Sequence, residues 1–375
     1  MNGVIKYIRL LFNKLLYLFI NILILYTISP ASGQVCNGSL GENIFDDGDF
    51  GSGTSTVFLT NPGLAPGYQY STNVPIPDGF YQLTNNSGGP GQYGTWLGIG
   101  DNSSDPNGYF MMVNASFSPG IFYEQMVDGL CPNTFYEFSA DIINMITMNT
   151  TGHLLPNVQF LLDDNVQYTT GDIGQTETWN TYGFTFFTGD NQSSIKLTLR
   201  NNAPGGIGND LGLDNISFRP CGPQSFIGID SDTTVFLCEE GAPFNIRADI
   251  LGADGQQFSI QWQRSLDNGL SWEDVGEMNN DMYVHNIFVP NTYIYRYFSA
   301  TDDNNLTNSK CRVISDRIMI TVLPKTRSLI DTTCVGTPYV FGNKELVYPG
   351  MYIDTFVSTL NCDSIVFLDL VVLDG

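Results

Sequence analysis

In the stretch SIKLTLRNN, Ile195, Leu197 and Leu199 alternate with Lys196, Thr198 and Arg200. Alternation at period two puts the apolar side chains on one face and the polar ones on the other, the pattern of a half-buried strand. The same short format recurs in FYEFSADI, NVQFLLDD and TYGFTFFTG, with turn clusters such as NNSGGPGQYG and NNAPGGIGND between the runs. Past the amino-terminal segment no stretch sustains a helical period. Short strands punctuated by Gly, Asn and Pro predict an all-β chain built from sandwiches, because each half-apolar sheet must bury its face on another.

Residues 1–33 stand apart from this pattern. MNGVIKYIRLLFNK carries Lys6, Arg9 and Lys14 and no acid, an apolar run follows from Leu15 to Ile28, and SPASG places Ala31 and Gly33 before Gln34. This is the three-part layout of a secretory signal, predicting cleavage before Gln34. The apolar run is shorter than the roughly 20 residues of a membrane-spanning helix, and no later segment is apolar enough to span. The mature chain is therefore expected to be secreted or held at the extracellular cell surface, without a transmembrane span.

Charge narrows the partners. Lys and Arg number 15 against 38 Asp and Glu, a net charge of −23. Nucleic acid is excluded as a partner, since phosphate binding needs clustered cations. An acidic chain stays soluble, repels other polyanions and offers oxygen ligands of the kind calcium uses. The seven cysteines, at 36, 131, 221, 238, 311, 334 and 362, form no CxxC and no Cys/His pair with zinc spacing. In a secreted chain they predict disulfides, with the odd one left as a thiol or an intermolecular bridge. His153 and His285 are the only histidines, and neither GxSxG nor HExxH is present. A surface position is expected for His285. No catalytic constellation is legible, so the chain is not expected to be an enzyme.

Three segments follow the signal: residues 34–223, closed by RPCGP, then 224–324, then 325–375. In the second, FSIQWQRSLDNGLSWEDV gives a strand, a turn and a return strand, and about 100 residues around Trp262 predict an immunoglobulin-like sandwich. Trp262 and Trp272 are expected to serve packing there. The third segment alternates YVF, MYIDTF and IVFLDLVV around Cys334 and Cys362, a module small enough to need a staple.

CNGSLGENIFDDGDFGSG, NGYFMMVNAS, GLCPNTFYEFSADI, WNTYGFTFFTG and APGGIGNDLGLDNISFRPCGP together resemble the leading domain of large secreted Bacteroidetes surface proteins associated with gliding or adhesion. WQRSLDNGLSWEDV is similar to their immunoglobulin- or PKD-like repeats, and CVGTPYVFGNKELVYPGMYIDTFVSTLNCDSIVFLDLVV to a short repeat of the same proteins. The first segment also resembles the galactose-binding-like jelly rolls of carbohydrate-binding modules, and MAM-type adhesion domains. The resemblance spans nearly all of residues 36–375. It implies a jelly-roll β-sandwich, an immunoglobulin-like sandwich and a small β module in that order.

In the jelly-roll families an acid of the first strand and an Asp of the last hold a structural calcium. Asp49 and Asp214 stand near those positions, although Gly51 occupies the place of a Glu ligand. GDNSSDPNGYF resembles the acidic MAM loop and adds Asp101 and Asp105. Strand parity sets Asp214 on one face with Ile216 and Phe218, opposite Leu211 and Leu213, where an unpaired carboxylate is costly. Calcium, or backbone N–H groups of the APGGIGND loop, would resolve that cost. Trp96, Tyr109 and Trp179 are candidates for a sugar-stacking platform, with core packing as the alternative for each.

Cys238–Cys311 and Cys334–Cys362 are the expected bridges within their modules. Cys36–Cys221 is expected to join the neighbouring first and last strands of the jelly roll, leaving Cys131 odd. The function these features imply is adhesion to a polysaccharide or cell-surface glycan through the first domain. A structural stalk without small ligand, or the appended binding module of a larger extracellular enzyme, are the alternatives.

Overall fold

The computed structural model describes residues 35–45, 48–228, 234–251, 257–358 and 362–374, so the predicted signal segment lies outside the described residues. The chain forms two compact units, one holding Asn43–Cys221 and the other Gly38–Glu42 with Gly222–Gly375. The division between the two units falls between Cys221 and Gly222, within RPCGP. The architecture is all-β, with a single described helix of five residues.

The first unit is a sandwich of ten strands: β1 (Gln69–Tyr70), β2 (Phe80–Thr84), β3 (Phe110–Asn114), β4 (Gly120–Asp128), β5 (Phe135–Asn144), β6 (Asn157–Leu162), β7 (Asn165–Asp172), β8 (Asn180–Phe187), β9 (Ser194–Asn201) and β10 (Leu211–Pro220). One sheet runs β1-β2-β3-β10-β5-β8 and the other β4-β9-β6-β7. From β3 onward the chain repeatedly changes sheet, so its alternating runs face each other across one core. Met111, Val113, Phe138, Ile142, Phe160, Leu197 and Leu199 are fully buried there. A smaller apolar cluster of Phe110, Met112, Ile143 and Met145 occupies the opposite face of the larger sheet, beneath Trp96, Leu97 and Trp179.

β10 departs from simple alternation. Asp214 pairs with Asp141 on β5 and Ser217 with Ser139, so two residues, Asn215 and Ile216, oppose Ala140 alone. This is a β-bulge, with Asn215 in the left-handed region at φ 47°. The extra residue shifts the parity: Leu211, Leu213, Ile216 and Phe218 all join the main core, while Asp214 goes to the opposite face with its partner Asp141. The expectation that Asp214 shares a face with Ile216 and Phe218 is thereby corrected. The first segment runs along β10, Ile44 N–H donating to the Phe218 carbonyl and Ile216 N–H to that of Gly48, each at 2.8 Å. Cys36 is bonded to Cys221, Cα–Cα 5.9 Å, the pairing that adjacency of first and last strands anticipates.

The second unit contains two sheets around Trp262. One joins β11 (Ser225–Gly228), β13 (Phe244–Ile250) and β16 (Met282–His285); the other runs β12 (Thr234–Cys238), β19 (Ile318–Leu323), β17 (Asn291–Ala300), β14 (Ser259–Ser265) and β15 (Glu273–Val275), with β18 (Val313–Ile314) on β17. Trp262 is fully buried and donates from Nε1 to the Asn280 carbonyl at 3.0 Å. Trp272 packs in its hairpin under the Arg296 guanidinium, 4.0 Å from the ring centroid. His285 is buried rather than at the surface, its Nδ1 2.7 Å from the Tyr295 hydroxyl. The third segment adds β20 (Thr326–Cys334), β21 (Tyr339–Phe341), β22 (Lys344–Leu346), β23 (Gly350–Val357) and β24 (Asp363–Leu373), in sheets β20-β24-β23 and β21-β22.

Two expected bridges are overturned here. Cys238 bonds Cys362, Cα–Cα 5.5 Å, rather than Cys311. β12 runs parallel to β19 and carries Cys238 to the level of Leu323. There Lys325 N–H donates to Glu239 at 2.6 Å, and Ile365 N–H to the Lys325 carbonyl at 2.7 Å, which brings Cys362 alongside. Cys334 is not the partner of Cys362, because it lies opposite Leu373 at the far end of the parallel β20–β24 ladder. At ~3.3 Å per residue the ladder alone spans roughly 25 Å, already far beyond the ~7 Å limit for a disulfide. Cys334 is therefore the free, exposed thiol, and Cys131, expected to be odd, is disulfide-bonded, as is Cys311.

Candidate functional site

At one end of the first sandwich the segments before β2, between β2 and β3, after β3, after β5 and before β10 converge on a cavity of about 180 Å³. Its floor is Asp210, the last residue of the turn APGGIGND. Asn209 takes a left-handed φ of 71°, which turns the chain sharply into β10. Gly208 lets the next loop close on that turn: a Cβ there would stand 2.8 Å from both His153 Cβ and the Leu154 carbonyl oxygen. Gly205 serves the same end, since a Cβ would collide with the Phe117 backbone. The Met145 N–H donates to the Asp210 carbonyl at 3.0 Å, fixing the Asp210 backbone to the end of β5.

The Asp210 side chain is only 5% exposed. Its Oδ1 accepts from the Ala115 N–H at 3.0 Å, and its Oδ2 from Trp96 Nε1–H at 3.2 Å. Burial pushes its carboxyl up to about 7, against the two hydrogen bonds, and the nearby charge of Asp78 pushes the same way. Trp96 is held by a hairpin stitched to the chain after β5, Leu97 N–H donating to the Met145 carbonyl and Thr147 N–H to that of Thr95. The Tyr93 ring lies 5.0 Å from Trp96, tilted by 52°, and its hydroxyl donates to the Ile76 carbonyl. Asn114 Nδ2 donates to the same carbonyl, and His153 Nδ1 lies 3.2 Å from the Thr151 carbonyl. Phe117, 72% exposed, stands at the mouth. The result is a small pocket with an acid below, aromatic rings beside it and amide groups in its wall.

The three aromatic candidates do not form one platform. Trp96 lines this pocket. Tyr109 lines a different cleft of about 590 Å³ among Phe45, Phe50, Phe58, Leu64 and Tyr123, where its hydroxyl donates to the Ser55 carbonyl at 2.7 Å. That cleft is walled chiefly by core side chains, and the hydroxyls of Tyr109 and Tyr123 are already engaged, the latter with Gln125. Trp179 packs edge-on to Phe110 at 5.6 Å, in room left by Gly212.

The four acids read as metal ligands are also dispersed in role. Asp214 is fully buried, and its oxygens accept from the N–H groups of Asn102 at 2.6 Å and Asn215 at 2.8 Å. Burial pushes its carboxyl up to about 7; the two N–H bonds oppose this, and the charges of Asp101 and Asp141 add to it. The donors come from the 101–107 loop and from the bulge, not from APGGIGND. Asp101 accepts from Ser103, Asp105 from the Asn107 N–H, and the exposed Asp49 from the Gly51 N–H. Among the described residues no three acidic, His or Cys side chains are grouped to hold a metal ion. As placed, these acids find their partners in N–H and hydroxyl groups.

Sequence reasoning missed Asp210, Tyr93, Phe117 and His153 as pocket residues. The legible signal was the glycine-rich turn ending in Asp immediately before the last strand.

No protein-family model and no curated protein matches the chain. Among solved structures it is similar to the C-terminal domain of EclA, described as a sugar-binding protein, at 17% identity over 35% of this chain and 86% of that one, TM-score 0.22. It is similar to a CBM4 structure at 15% identity over 51% and 97% of the two chains, TM-score 0.21. A third similarity is to the M60 catalytic domain with CBM51 domains of Clostridium perfringens ZmpB, at 11% identity over 70% of this chain and 24% of that one, TM-score 0.22. TM-scores of this size carry no argument about what the chain binds.

Proposed function

We propose that this chain is a non-catalytic, secreted or cell-surface adhesion protein that binds a glycan in the Asp210–Trp96 pocket, with the later modules as spacers. The observation that carries this reading is a buried carboxylate, held by an indole N–H and a backbone N–H, beneath the exposed aromatic rings of the rim. A sugar ring presents an apolar face suited to stacking and hydroxyls that donate to fixed acceptors. The cystines fit an oxidising compartment.

The pocket takes a terminal ring rather than the length of a polymer. A hexose of about 12 heavy atoms at ~0.3 kcal/mol per atom gives ~4 kcal/mol, a Kd near 1 mM. Useful adhesion then requires many copies engaging one surface. The test is a multivalent glycan array probed with the mature chain and with Tyr93→Ala and Phe117→Ala. Selective binding lost in both variants supports the reading. No binding to any glycan, or binding indifferent to both changes, refutes it. Release of reducing ends from a bound glycan would refute the non-catalytic part.

A further inference from the structure

The charge inside the pocket is not balanced. Asp78 and Asp210 both line it, and neither takes part in any of the eight ion pairs found among the described residues. The partners of Asp210 are neutral N–H donors, each engaging one oxygen and leaving lone pairs on both. The only basic side chain in the walls is His153, whose Nδ1 lies beside the Thr151 carbonyl. The exposed rings of Tyr93 and Phe117 also line it, and aromatic rings attract cations through the negative quadrupole of their faces. Carboxylates and aromatic rings around one small cavity make a site for a positive group.

Resting on the glycan reading above, we propose that the sugar this pocket takes carries a free amine. Its ammonium would meet Asp210 and Asp78, and its ring the aromatic rim. A hexosamine meets this description, whereas an N-acetylated or neutral sugar leaves the acids unpaired and an acidic sugar is repelled. The chain's net charge of −23 acts in the same direction, drawing cationic polymers to the surface and turning anionic ones away. Burial favours the protonated carboxyl and a bound ammonium would oppose that, so binding is expected to release a proton from Asp210.

The test is titration calorimetry of the mature full-length chain at pH 7, where Asp210 is partly ionised and a primary amine is still largely protonated. The ligands are glucosamine, N-acetylglucosamine, glucose, glucuronic acid and ethylammonium. Glucosamine is expected to bind at least about tenfold more tightly than glucose or N-acetylglucosamine, the margin of a charge-assisted over a neutral hydrogen bond. Asp78→Asn, a surface change, should shrink that margin severalfold, and 0.5 M salt should do the same to the wild type. Equal affinity for glucose and glucosamine overturns the amine specificity while glycan binding stands. Ethylammonium binding as tightly as glucosamine overturns the sugar, and no binding by any ligand overturns both.

Discussion

Replacing Asp210 by Asn tests whether the pocket floor is a buried acid. In the unfolded chain its carboxyl titrates near 3.9, and in the folded chain near 7. Below pH 4 both states hold the proton. Between 4 and 7 the native state keeps it and the unfolded state has lost it, so wild-type stability falls as pH rises and levels off above 7. Three units at about 1.4 kcal/mol each make that loss roughly 4 kcal/mol. Asn cannot ionise, but its amide faces an N–H where a carboxyl oxygen had accepted, a cost of about 1–2 kcal/mol at every pH. The variant is therefore expected to be less stable than wild type at pH 4 and more stable at pH 8, crossing near pH 5. Asp214 drifts in the same window in both proteins and cancels in the difference. Urea unfolding of both chains at pH 4, 5.5, 7 and 8.5, at fixed ionic strength, supplies the comparison. A difference that stays flat within about 1 kcal/mol across that range would show that Asp210 titrates like a surface acid, and would remove the basis for a dry pocket floor.

Gly212→Ala is expected to destabilise the first domain by about 1–3 kcal/mol, because its Cβ would stand 2.8 Å from Ile143 and 2.9 Å from Trp179; chemical denaturation reads the cost, and glycan binding should be unchanged. Native chain should titrate with a single accessible thiol, abolished by Cys334→Ser without loss of stability, whereas reducing Cys238–Cys362 should cost about 2–5 kcal/mol. The Asn102 and Asn215 N–H groups satisfy Asp214 without an ion, so chelator should leave the first domain's thermal midpoint in place; a rise of several degrees on adding calcium would restore the metal reading of Asp49, Asp101, Asp105 and Asp214.

Strand identity was legible in the sequence because period two is a local property. Ile195, Leu197 and Leu199 face inward in β9 as their alternation requires, and Trp262 is central to its sandwich. Parity failed at Asp214 because a bulge adds a residue to one strand only, and whether it forms depends on what the partner strand presents. Cysteine pairing failed where it crosses modules: Cys238 meets Cys362 because the β12–β19 ladder ends where the β20–β24 ladder begins, a matter of register that spacing does not encode. The pocket is the extreme case. Asp78, Trp96, Phe117, His153 and Asp210 come from separate turns of one sandwich, each shaped by its own short-range chemistry. Sequence determined that each turn exists. Only the sandwich, by bringing the ends of β3, β5 and β10 together, decided that they share a cavity and that an acid is buried at its floor.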